Sequence, residues 1–99
     1  AAHITVQGSS HCLIQNNIFG TARHYDIDIV EYNGKNSSYT VVRNNIFENY
    51  WGGGIAPIRR TTWTLIEDNV FRYMGAHIDY PKAAVNLNSM YNIVRRNVM

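Results

Sequence analysis

One short phrase recurs four times along the chain: Cys12-Leu-Ile-Gln-Asn-Asn-Ile-Phe19, Thr40-Val-Val-Arg-Asn-Asn-Ile-Phe47, Thr64-Leu-Ile-Glu-Asp-Asn-Val-Phe71 and Asn92-Ile-Val-Arg-Arg-Asn-Val-Met99. Its register is set by Asn17, Asn45, Asn69 and Asn97, which lie 28, 24 and 28 residues apart. Periods of this length are the mark of stacked repeat architectures, in which one supersecondary unit cannot bury its apolar face alone. Each phrase joins two aliphatic residues to an asparagine and then to an aromatic residue or methionine, which predicts a short strand, a tight corner and a second short strand. Asparagine suits the corner because it tolerates left-handed backbone angles. Repeated at one position, it also stacks into a hydrogen-bonded ladder. Phe19, Phe47, Phe71 and Met99 are then expected to stack inside. Alternation along a strand leaves open whether Leu13, Val41, Leu65 and Ile93 face the core, or Ile14, Val42, Ile66 and Val94 beside them.

These phrases resemble the right-handed parallel β-helix repeat family, the pectate lyase-like architecture of polysaccharide-processing proteins. The resemblance covers nearly the whole chain and implies an all-β right-handed parallel β-helix, a solenoid of about three to four coils of 24–28 residues. Residues 1–99 form a single segment in this reading. Coils stacked at the strand spacing give a slab only about 15 to 20 Å tall, with raw edges at both ends. No polar cap is visible in the sequence. We therefore read the chain as part of a larger β-helix domain with coils missing at one or both ends, and expect end-to-end self-association of any isolated piece.

The net charge is +2, with basic residues dispersed rather than clustered. That distribution points away from nucleic acid and from an anionic membrane surface, and allows a mild preference for acidic polysaccharide. Cys12 is the only cysteine, so no disulfide forms within the chain, and its place in the phrase makes it a half-buried filler. No apolar run approaches membrane-spanning length. A secreted, periplasmic or cell-surface location is implied by the resemblance alone.

Repeat proteins carry function in the variable segments between repeats. The run from His24 to Tyr32 alternates, with Ile27 and Ile29 on one face, and this places His24, Asp26 and Asp28 on the other. His77 and Asp79 follow Asn69 at nearly the spacing at which His24 and Asp26 follow Asn17. Gly52, Gly53 and Gly54 occupy the corresponding positions between them. Two His-x-Asp pairs would flank a side-chain-free strip wide enough for a sugar ring, although a glycine triplet equally fits a turn. Pro57 is expected at an edge or bend. Further on, Val85 and Leu87 are expected to point in, and Asn86 and Asn88 out.

Three chemistries fit these residues. Asp26 and Asp28, at alternate positions, would stand roughly 6.5 to 7 Å apart at the backbone, near the carboxyl separation of inverting glycosidases. Asp26, Asp28 and Asp79 also form an oxygen-rich set for Ca²⁺, which would neutralise a uronic acid and acidify the neighbouring proton. The resemblance then implies an arginine or lysine base, for which Arg59, Arg60 and Lys82 are the candidates. A transition metal on His24, Asp26 and His77 is the third option. Tyr25, Trp51 and Tyr80, with Tyr50 and Tyr73, offer aromatic faces to a pyranose ring, and Arg60, Asn86 and Asn88 offer polar contacts. Trp63 reads as structural, and Asn36-Ser-Ser38 matches a glycosylation sequon. The polygalacturonase-type signatures Asn-Thr-Asp, Asp-Asp, Gly-His-Gly and Arg-Ile-Lys are missing, as are those of pectate lyases, so every site residue here rests on face geometry. The expected function is a carbohydrate-active lyase or glycoside hydrolase. A non-catalytic module such as an adhesin, tailspike or carbohydrate-binding stalk is the alternative.

Overall fold

Each copy of the phrase folds as two short strands joined by a left-handed corner. The pairs are β2 (Leu13–Gln15) with β3 (Ile18–Phe19), β6 (Val41–Arg43) with β7 (Ile46–Glu48), and β9 (Leu65–Glu67) with β10 (Val70–Arg72). The fourth copy forms β13 (Ile93–Arg95), followed by a parallel bridge from Val98 to Val70. In this computed structural model the described residues are 2–20, 25–48, 53–72 and 83–98, with backbone alone at 59, 60, 83 and 88. Positive φ falls at Asn16 (62°), Asn44 (55°), Asp68 (57°) and Arg96 (54°). Asparagine and aspartate tolerate that region well.

The strands preceding each phrase are β1 (Ile4–Gln7), β4 (Tyr25–Val30), β8 (Gly53–Thr62) and β11 (Ala83–Val85). Two shorter ones, β5 (Ser37–Ser38) and β12 (Asn88–Met90), pair with the far half of β8. Every pairing between these strands is parallel. The first sheet runs β1-β4-β8-β11, the second β2-β6-β9-β13 and the third β3-β7-β10. Among the described residues there is no helix. Successive repeats thus lie on one another in register, Leu13 on Val41 on Leu65 on Ile93, an all-β arrangement compatible with a β-helix.

Alternation is resolved in favour of Ile14, Val42 and Ile66, which are buried, while Leu13 and Ile93 are exposed. Ile27, Ile29, Ile55 and Val6 face the same core from the first sheet, and Cys12 packs partly buried at its margin. Phe19, Phe47 and Phe71 form the expected column, with ring centroids 4.8 Å apart at each step. Met99 lies outside the described residues.

The asparagine ladder is present. Asn17 donates its backbone N–H and Nδ2 to Asn45 Oδ1, Asn45 does the same to Asn69, and Asn69 to Asn97, all at 2.9–3.1 Å. Nδ2 of Asn45, Asn69 and Asn97 also caps a carbonyl of the repeat before, at Ile14, Val42 and Ile66. A second left-handed corner precedes each phrase, at His11, Tyr39, Trp63 and Tyr91.

The differing periods have a local cause. Between β4 and β5 the chain makes a tight turn at Asn33 (φ 51°) and Gly34 (φ 78°), closed by an antiparallel bridge between Tyr32 and Lys35. Two consecutive positive φ values define the mirror-image hairpin turn that favours Asn-Gly. The next repeat lacks the turn and runs straight through β8.

Two expectations are corrected. Pro57 is buried inside β8, a central strand, rather than at an edge. Its missing N–H is tolerated because it falls where the β4 pairing ends, at Ile29 opposite Pro57. Leu87 is exposed rather than inward, since β11 ends at Val85 and the alternation stops with it.

Candidate functional site

The expected site divides between what the structure describes and what it does not. His24, Trp51, His77, Asp79, Tyr80 and Lys82 lie outside the described residues, as do Tyr50, Tyr73 and Gly52. Arg59 and Arg60 are placed by backbone in β8, and Asn88 in β12. Tyr25, Asp26, Asp28 and Asn86 are described with their side chains.

Asp26 does not sit on an open strand face. It is fully buried. Register puts it beside Gly54 and, one repeat further, Ala84. Both neighbours adjoin the core, because Ala84 packs against the core cluster and a Cβ on Gly54 would lie 2.7 Å from the Phe71 ring and 2.5 Å from the Ala84 carbonyl oxygen. The strand therefore bends where the third sheet hands over to the first, and Asp26 turns inward with Ile27. Its carboxylate lies 3.0 Å from His3 Nδ1, yet neither oxygen has hydrogen-bond geometry to any described donor. Burial pushes the Asp26 carboxyl up to about 7. His3 in turn stacks on Phe19, with centroids 6.1 Å apart. Of the expected glycine strip, Gly53 and Gly54 are both buried.

This geometry corrects the expectation that Asp26 and Asp28 share one open strand face. Asp28 alternates with the buried Ile27 and Ile29 and is half-exposed on the outer face, whereas Asp26 is enclosed. Among the described residues no three His, Cys, Asp or Glu side chains are grouped to hold a metal.

Two expected polymer-contacting residues do come together. Asn86 Nδ2 donates to the Tyr25 hydroxyl at 2.8 Å. Tyr25 stands on β4 and Asn86 follows β11, so the bond crosses the intervening strand β8. The tyrosine and asparagine side chains, with the hydrogen bond between them, together bridge the two strand spacings, about 9.6 Å, from β4 to β11.

An exposed apolar feature lies along the second sheet. His11, Tyr39, Trp63 and Tyr91 stack with centroids 5.0, 6.2 and 4.8 Å apart and planes within 14°. Beside this column run Leu13, Val41, Leu65 and Ile93, and Tyr39, Trp63 and Tyr91 line a groove of about 250 Å³ with Val41, Thr64, Leu65 and Ile93. The rings spend their faces on one another and present edges to solvent. Sequence reasoning passed over this column, although its spacing of 28, 24 and 28 residues equals that of the asparagines.

At the neighbouring corner Glu67 accepts from Arg95 Nε (2.8 Å) and Arg96 Nη2 (2.9 Å), and Asp68 accepts from Arg96 Nε (2.9 Å). The hydrogen bond from Arg96 holds the Asp68 carboxyl below its ordinary range. Opposite charges thus neutralise each other within this column.

No protein-family model matches the chain, and no curated protein or solved structure matches it either.

Proposed function

We propose that the chain is a stretch of a right-handed parallel β-helix of the pectate lyase-like kind, and that it engages an extended polysaccharide across the outer face of the first sheet. The observation that carries this reading is the Tyr25–Asn86 bridge over β8, with Asp28 on the same strand. It builds a surface of aromatic edge, amide and carboxylate across successive repeats, the groups by which sugar hydroxyls are bound. In this reading the parent activity is that of a lyase or glycoside hydrolase, with the acid or base drawn from outside the Asp26–Asp28 pair. A second reading, a non-catalytic adhesin or stalk, is favoured by the exposed ring column on the second sheet, since a large apolar surface without an acid or base suits binding.

The test is a turnover screen against uronic-acid and neutral polysaccharides, with and without Ca²⁺, recording ultraviolet absorbance of unsaturated ends and new reducing ends. Metal-dependent absorbance identifies a lyase, and reducing ends alone identify a hydrolase. Co-sedimentation without turnover supports the adhesin reading. Asn86→Ala and Tyr25→Phe are expected to weaken polymer binding several-fold, and unaltered binding in both would remove the first sheet as the contact surface.

A further inference from the structure

The second sheet carries an apolar outer face that the stacking of repeats does not cover. Tyr39 and Trp63 stand in the second and third repeats, with a repeat on either side, and still keep 51% and 47% of their surface. Val41 and Leu65 lie beside them, half-buried, and the groove runs between the ring edges and these aliphatic side chains. Exposure here belongs to the side of the stack, where a further repeat would extend the face without covering it. A contiguous apolar surface of this kind marks an interaction site.

Three columns cross the face in order along each strand: rings at Tyr39 and Trp63, aliphatic side chains at Val41 and Leu65, and charges at Arg43 and Glu67. The charge alternates from repeat to repeat. The first repeat offers Gln15 and Asn16, the second Arg43 and Asn44, the third Glu67 and Asp68, and the fourth Arg95 and Arg96. Arg95 and Arg96 pair with Glu67 and Asp68, whereas Arg43 Nε donates to the neutral Gln15 at 2.9 Å. Set against a copy of itself in the same repeat order, this column would oppose arginine to arginine and carboxylate to carboxylate. In reversed order the cation of the second repeat meets the anions of the third, and the arginines of the fourth meet the uncharged first. Reversal leaves no like charges opposed, and opposed like charges are a strong penalty at an interface.

We infer that a second copy of this chain docks face to face on the second sheet, related by a two-fold axis parallel to the strands and midway between the second and third repeats. This rotation reverses the repeat order while keeping each column opposite its own kind. Tyr39 then meets Trp63 of the second copy, Val41 meets its Leu65, and Arg43 meets its Glu67. The other axis in the plane of the face, along the stack, would set rings on charges and bury Glu67 against Trp63. Half-exposed side chains over the four repeats bring the area shared by two copies to roughly 1,000 Å², the lower bound of a specific interface. A face that contacts itself in this way closes at two copies. The contact is separate from the first sheet and leaves Tyr25 and Asn86 free.

The experiment is analytical ultracentrifugation of the protein over a wide concentration range, with Val41→Lys and Leu65→Glu each checked for wild-type β-structure by circular dichroism. Wild type is expected to reach a dimer and grow no further. Each variant sets a charge against an aliphatic side chain at both equivalent contacts, and is expected to weaken association about tenfold or more. Mixed in equal amounts, the two variants are expected to dimerise again to within a few-fold of wild type. One contact then pairs the introduced lysine with the introduced glutamate, and the other keeps Leu65 on Val41. A wild type that stays monomeric to its solubility limit overturns the inference. Open-ended growth unchanged in both variants also overturns it, because that is end-to-end stacking. Weakening in both variants without recovery on mixing overturns the two-fold arrangement. Neither substitution alters Tyr25 or Asn86, so polymer binding on the first sheet is read separately.

Discussion

A carboxylate enclosed with no hydrogen-bond partner among the described residues is an expensive residue, and at Asp26 the cost shows in the pH dependence of stability. Its carboxyl stands at about 7 in the fold against 3.8 ordinarily. Below pH 4 both folded and unfolded chains hold the proton and the residue is neutral. Between about 4 and 7 the unfolded chain loses the proton while the fold keeps it, so stability falls as pH rises, and above 7 the penalty is constant. Three pH units at about 1.4 kcal/mol each set a ceiling of roughly 4 kcal/mol. Asp26→Asn should flatten this slope and leave the variant more stable than wild type at pH 8. Denaturant midpoints at half-unit steps from pH 4 to 8 decide it, and parallel profiles for the two proteins would show that the carboxyl does not titrate in this window. His3, 3.0 Å away, is the titratable side chain found against Asp26 among the described residues. The sequence could not disclose this pair. His3 and Asp26 lie off the 28 and 24 spacing, and simple alternation sends Asp26 outward; only the bend beside Gly54 turns it in.

The ladders and columns are the elements on which the repeats depend, and they are not equivalent along their length. Asn69 accepts both donors of Asn45 and supplies Nδ2 to the Val42 carbonyl, all in buried surroundings. Asn69→Ala strands those groups, and a buried polar group left unpaired costs about 1 to 3 kcal/mol. The Asn17 side chain only donates, to the Gln15 carbonyl and Asn45 Oδ1, at an exposed position where water replaces what is lost. The expected result is a loss of about 2 to 4 kcal/mol for Asn69→Ala and under about 1 kcal/mol for Asn17→Ala, with hydrogen exchange at the Asn45 amide accelerated only in the former. Equal losses at both positions would mean that the ladder acts through local corner geometry instead of through its cross-repeat bonds. Ladder and phenylalanine column were legible from the sequence because one residue type recurs at one spacing. His11, Tyr39, Trp63 and Tyr91 share that spacing but mix an imidazole, phenols and an indole, so a reading keyed to residue identity misses them. Trp63 was legible as structural only in this sense: it stacks between Tyr39 and Tyr91, yet stays 47% exposed. His77 and Asp79, outside the described residues, repeat the spacing of His24 and Asp26 only to within one residue, which is too loose to fix a register on a strand.

At the scale of the whole molecule, repeats of one unit carry a stringent consequence: the insertion in one repeat should be removable. Ile27 pairs with Ile55 and Ser37 with Thr61, so four more residues separate the first pair of positions than the second. The turn from Tyr32 to Lys35 supplies them. Deleting residues 32–35 joins Glu31 to Asn36 and converts the 28-residue period into the 24-residue period that the next repeat already uses, leaving β4 free to run straight beside β8. The asparagine ladder, the phenylalanine column and the second sheet are untouched by the change. One local loss is foreseeable, for Ser37 Oγ donates to the Val30 carbonyl at 2.7 Å across the turn, a bond worth about 1 kcal/mol. Shortening the connection recovers part of this through reduced chain entropy. The shortened chain is therefore expected to fold with the same circular dichroism and with stability within about 1 to 2 kcal/mol of wild type. Collapse of the fold would show that the turn organises the first sheet, and that the 28-residue repeat is a distinct unit instead of a 24-residue repeat carrying an insertion.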